Sequence, residues 1–171
     1  MRRGLLPAAL ALALGAGALP AWGATQASLA LQQVFGASAG SLVVAFGALD
    51  AMCVTPPATG VTCAPNVPAN GATWYGAIQF RVRFTGAPAG TTVRLTGVRQ
   101  AGGSAPSGSL VDGPSGVPTT SYPTSPAGAI TLATALAGGS VTVQRSIGFR
   151  VLATDAGGSW VTSVVYSLIV E

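Results

Sequence analysis

Residues 78–84 alternate without a fault: Ile78, Phe80, Val82 and Phe84 are apolar, and Gln79, Arg81 and Arg83 stand between them. Successive side chains of an extended chain point to opposite faces, so the apolar set shares one face and the polar set the other. The pattern fits a strand with a dry side and a wet side, and beyond the N-terminal stretch no helical period of 3.6 recurs to compete with it. The same alternation marks residues 41–49, 91–98, 130–136, 140–143, 147–153 and 160–170 as strands. Turn formers separate them: Asn70 with Gly71, residues 87–90, Gly138 with Gly139, and residues 155–158. Many short strands with this punctuation predict an all-β fold, a single antiparallel β-sandwich of immunoglobulin-like type.

Two places strain the pattern. Arg145 follows Val141 and Val143 at the spacing that aims it inward, where an unpaired charge is costly, so a bulge or break is expected at residues 144–146. Residues 101–128 are dominated by Gly, Pro, Ser and Thr, with Leu110 and Val111 as their only apolar pair. A connection that long is expected to be a functional or mobile loop, with Tyr122 as its anchor or its contact with a partner.

The N-terminal residues read as a leader. Arg2 and Arg3 precede a run rich in Ala and Leu, and Ala21 and Gly23 are small residues at the spacing of a cleavage site. Pro7, Pro20 and several glycines interrupt the run before it reaches the roughly 20 apolar residues of a membrane span. Residues 1–23 are therefore expected to be a signal peptide. Cleavage leaves about 150 residues, enough for one domain with a core. Within it, residues 24–40 form an N-terminal extension and residues 41–171 the sandwich. Export also implies oxidation, and Cys53 and Cys63 are the only cysteines, so an intrachain disulfide is expected.

Composition narrows function. The chain has no histidine and no lysine, and residues 24–171 carry six arginines against Asp50, Asp112, Asp155 and Glu171. Acid–base and nucleophilic catalysis need a tuned proton acceptor beside the reacting group, and this inventory is nearly empty. The three aspartates stand near small residues in apparent turns, where capping explains them. No catalytic residue, cofactor site or metal site is assigned; a zinc site lacks ligands, and calcium would need clustered oxygens. Arginines spread over separate strands do not make the dense basic patch that nucleic acid requires. An outer-membrane barrel is disfavoured by the terminal Glu171 and the lack of aromatic girdles.

Both ends of the mature chain carry an informative pattern. Val164, Tyr166, Leu168 and Val170 alternate on one face of the last strand, Gly158 lies six residues before Val164, and no charge or proline interrupts residues 160–170. At the other end Ala27, Leu29, Leu31 and Phe35 share a face, with Gln33 as the lone polar intruder. This resembles the C-terminal β-zipper and N-terminal donor strand of chaperone-usher pilins and their spore-coat-U-like relatives. Val170 stands where those proteins carry an aromatic residue, and the cysteines lie closer together than in typical pilins. The resemblance implies an exported structural subunit of a cell-surface filament or coat, assembled by strand donation. Its implied partners are copies of itself or related subunits, a periplasmic chaperone and an outer-membrane usher. The alternative is a monomeric adhesin-like or ligand-binding sandwich at the surface or in the periplasm.

Overall fold

The computed structural model describes residues 26–35, 44–125, 128–136 and 139–171. The expected signal peptide, residues 1–23, and residues 36–43 lie outside these. Nine strands follow in order: β1 Gln26–Val34, β2 Thr62–Pro65, β3 Gly71–Thr85, β4 Val93–Arg99, β5 Leu110–Gly113, β6 Thr120–Ser121, β7 Ile130–Leu136, β8 Gly139–Leu152 and β9 Val164–Val170. One antiparallel sheet runs β1-β3-β8-β5-β6, with β2 beside β1 along the same edge of β3; the other runs β7-β4-β9. Their inner faces share one apolar core, so the protein is an all-β sandwich, as its alternation requires.

The long antiparallel pair of β3 and β8 is the spine of the larger sheet. Ile78, Phe80, Val82 and Phe84 are buried while Arg83 is exposed and Gln79 and Arg81 are half-exposed, as alternation demands. The first half of β3 is buried on both faces. Trp74 faces the core and its indole Nε1 donates to the Asp50 carbonyl at 2.7 Å, while the Thr73 hydroxyl on the other face donates to the Val67 carbonyl. The segment around the Cys53–Cys63 disulfide covers this end of the strand. The bond is compatible with an oxidising, exported location.

Four expectations are corrected. The first is the break at residues 144–146: β8 is one strand, and its register with β3 runs without a shift from Gly71 opposite Leu152 to Phe84 opposite Gly139. Arg145 does point inward, and a buried Asp112 answers its charge, so no bulge is needed. The second is the long loop of residues 101–128, which contains β5 and β6; Asp112 belongs to β5 and not to a turn. The third concerns the strand at residues 41–49: residues 44–49 form none, though Phe46 is buried between the rings of Phe35 and Phe149. The last strand is also shorter than expected, since residues 160–163 precede it as irregular chain.

Candidate functional site

β9 bonds to β4 alone among the described strands, from Val93 opposite Val170 to Arg99 opposite Val164. It is therefore an edge strand. Thr92 and Glu171 exchange both peptide hydrogen bonds, and the Gln100 N–H donates to the Ser163 carbonyl. In an antiparallel ladder this orientation alternates, so the odd-numbered residues 163–171 turn their peptide groups toward β4. The peptide groups of Val164, Tyr166, Leu168 and Val170 consequently face away from it. On the inner face Val164, Tyr166 and Leu168 are half-buried against the core and Val170 is 47% exposed. On the outer face Val165 and Ile169 are 40% and 39% exposed. Gly158, the remaining residue of the expected C-terminal pattern, lies outside the strand, on the wall of an open cleft.

β1 sits beside this region. It pairs with β3 of its own chain, Ala27 opposite Phe84, Leu29 opposite Val82 and Leu31 opposite Phe80. Leu29 and Leu31 pack on the core while Ala27 is exposed. The register shifts between Leu31 and Gln33, and Val34 is buried in the core. Phe35 is buried on Gly76, where an added Cβ would stand 2.3 Å from the Phe35 ring and 2.7 Å from the Gly60 carbonyl. The strand also approaches β9, without a ladder between them.

Below β9 lies a polar cluster that local sequence does not announce. Asp112, fully buried, accepts from Arg145 Nε at 2.9 Å and from Arg145 Nη2, and from the Tyr122 hydroxyl at 3.2 Å. Arg145 Nη1 donates to the Leu132 carbonyl on β7 at 3.1 Å, and the Tyr122 and Tyr166 hydroxyls stand 3.2 Å apart. The cluster thus ties β5, β7, β8 and β9 together across both sheets. Burial raises the Asp112 carboxyl above its ordinary value, and the Arg145 guanidinium opposes the rise most strongly. Burial likewise pushes the Tyr166 hydroxyl up to about 12 and Tyr122 well above its ordinary value, so both remain neutral donors. Tyr122 is the loop's anchor. The signal available in the sequence is Arg145, whose inward spacing implies either a break in the strand or a buried acid as its partner.

Two hollows complete the region. One of about 400 Å³ lies between the sheets, with Leu31, Ile78, Phe149, Trp160, Val164 and Tyr166 among its walls. A wider one of about 860 Å³ opens between residues 44–51 and the chain that leads to β9. The aspartates at its rim serve the backbone. Asp155 accepts from the Leu152 N–H at 2.7 Å, and Asp50 accepts from the N–H groups of Met52, Val54 and Thr55 at 2.7, 3.1 and 2.7 Å. The Thr55 peptide lowers the Asp50 carboxyl most; burial opposes it, and Val54 and Met52 add to the lowering, leaving it at about 2 against 3.8. A depressed carboxyl stabilises the fold above its unfolded value, so this contribution is whole above about pH 4 and fades as pH falls through about 2. The amide proton shifts of Met52, Val54 and Thr55 should titrate with a midpoint near 2. A midpoint near 3.8 would mean that these bonds do not hold in solution.

Among the described residues no three of His, Cys, Asp and Glu come together as a metal-binding group. What the region offers is peptide groups along β9 with no ladder partner among the described residues, and apolar surface on both sides of the strand. Comparison with family models, with curated proteins and with solved structures finds no match.

Proposed function

We propose that the protein is an exported, non-catalytic structural subunit of a cell-surface filament or coat, an immunoglobulin-like sandwich joined to its neighbours by exchange of β1. One observation carries this reading: β1 and β9 are adjoining, uncharged strands, each with a ladder on one side only among the described residues. Monomeric sheets commonly guard such edges with lysine, proline or inward charge, and neither strand has any of these. Withdrawal of β1 leaves a groove bordered by β3 and β9, and the strand that fits it best is the same segment of another copy. Leu29, Leu31, Val34 and Phe35 then fill from outside the places that they occupy from within. Ladder bonds give such an exchange its affinity and the alternate side chains its register. Joined head to tail, the subunits make an open chain. The chaperone and usher implied by the pilin resemblance would act here, by covering the groove until the next subunit arrives.

The seat of β1 on its own chain and the cleft near Trp160 favour the second reading, a monomeric adhesin-like or ligand-binding module. Deletion of residues 24–35 separates the two. A filament subunit should keep its fold, fail to polymerise, and bind an added peptide of that sequence. If the deletion unfolds the domain, and the intact protein stays monomeric by size-exclusion chromatography with light scattering, the module is favoured and the filament rejected.

A further inference from the structure

Exchange of β1 uses the edge of β3, and among the described strands the outward peptide groups of β9 have no ladder partner. The geometry points to a second junction, in which β9 pairs antiparallel with β9 of another copy about a two-fold axis at Ser167. This goes beyond the exchange of β1 and does not depend on it.

The register follows from the residues. The outward peptide groups belong to Val164, Tyr166, Leu168 and Val170, because those of the intervening residues are turned toward β4. With Ser167 opposite Ser167 of the partner copy, Val164 meets Val170 and Tyr166 meets Leu168. All four outward peptides on each strand then find a partner, and none is left over. The inner face of the new ladder is apolar throughout. On the outer face Val165 lies beside Ile169 of the partner copy, which turns two exposed side chains on each subunit into cross-strand pairs. The three-stranded sheet becomes a continuous six-stranded one, in the order β7-β4-β9-β9-β4-β7.

Charge selects this arrangement over its competitors. Residues 160–170 carry none, and Glu171 at the strand's end is held by Arg94 at 2.6 Å. Parallel in-register pairing would set Glu171 against Glu171 and Arg94 near Arg94. In the antiparallel register Glu171 lies opposite Ser163, and the two Glu171 side chains stand on the order of 25 Å apart, eight residues along extended chain. A second copy therefore meets this edge without like-charge contact, and the self-match of the strand makes the contact isologous.

Ser167 provides the test, since its side chain is exposed, makes no contact with the core and stands on the axis. There the two copies form a non-hydrogen-bonded pair with Cα atoms about 4.5 Å apart. Exported protein should show a concentration-dependent monomer–dimer equilibrium in sedimentation. S167K and S167E should each weaken it by about tenfold or more, through like charges at the axis, with unchanged circular dichroism. An equimolar mixture of the two variants should recover dimer as the mixed pair, because the opposite charges now face each other. S167C should form a disulfide-linked dimer under mild oxidation, since that Cα spacing lies within the range of a disulfide. A protein that stays monomeric at every concentration overturns the pairing. So do dimers or fibres that S167K and S167E leave unaltered, or a mixture that fails to recover dimer. If fibres vanish on deletion of residues 24–35 while the Ser167-sensitive dimer persists, both junctions stand. Dimers without fibres in the intact protein reject the exchange of β1 and keep the pairing of β9.

Discussion

Replacement of Phe80 by Asp should abolish folding, and Val82→Asp should do nearly the same, whereas Arg81→Ser and Arg83→Ser should be tolerated. Phe80 and Val82 are each 1% exposed at the centre of β3, and the Phe80 ring meets Tyr166 at 4.6 Å between centroids. Phe→Ala at such a site costs about 3–5 kcal/mol, and an unpaired carboxylate adds several more. That sum reaches the whole stability of an ordinary domain, about 5–15 kcal/mol. On the other face Arg81 gives one hydrogen bond, Nε to the Ser140 hydroxyl at 2.8 Å, and Arg83 is exposed. Their removal should cost about 0.5 kcal/mol each. Urea denaturation followed by circular dichroism reads both effects. Equal losses on the two faces would mean that a further layer covers β3.

The second large effect lies in the polar cluster. Asp112→Ala strands the Arg145 guanidinium, whose side chain is 12% exposed, with the Leu132 carbonyl as its remaining acceptor. Breaking one side of a buried pair costs about 3–5 kcal/mol, because a charge is left without its partner. Tyr122 loses an acceptor at the same time. The double variant Asp112→Leu, Arg145→Leu should recover most of the loss, since removing both charges removes the cost of burying them. A double-mutant cycle isolates the coupling. If Asp112→Ala costs less than about 1 kcal/mol, or the double variant is no better than the single one, the pair does not hold the sheets together.

These two results bear on what can be read from sequence. The face of β3 was legible because its evidence is local: each residue's neighbours two places away declare its side. The two cysteines were equally plain, having no competitors. The spacing of Arg145 gives its inward aim but not its partner, which stands 33 residues earlier in a stretch whose Gly, Pro and Ser content signals loop, and so a break is expected where none occurs. β5 has four residues and one apolar pair, and its burial comes from its place beside β8, which no local pattern records. Residues 44–49 failed in the opposite way: Phe46 earns its burial from the rings of Phe35 and Phe149, and no ladder accompanies it. At the edge, the alternation of β9 was legible while its free side was not, since a strand's count of partners belongs to the sheet. The same holds for β1, whose pattern fits a seat on its own chain and a seat on another equally well.

The direction in which β1 lies on β3 has a mechanical consequence. Its ladder runs along the strand, from Gln26 opposite Thr85 to Val34 opposite Ile78, and Phe35 is seated at the far end on Gly76. A pull on the end of such a strand that joins the rest of its chain, beyond Phe35, acts parallel to its own axis. The ladder bonds are then strained together and must give way together, whereas a sideways pull would open them one after another. In a chain of subunits linked through β1, tension would be borne in this shearing mode, and the buried Phe35 ring would act as the stop that keeps the strand from sliding through its register.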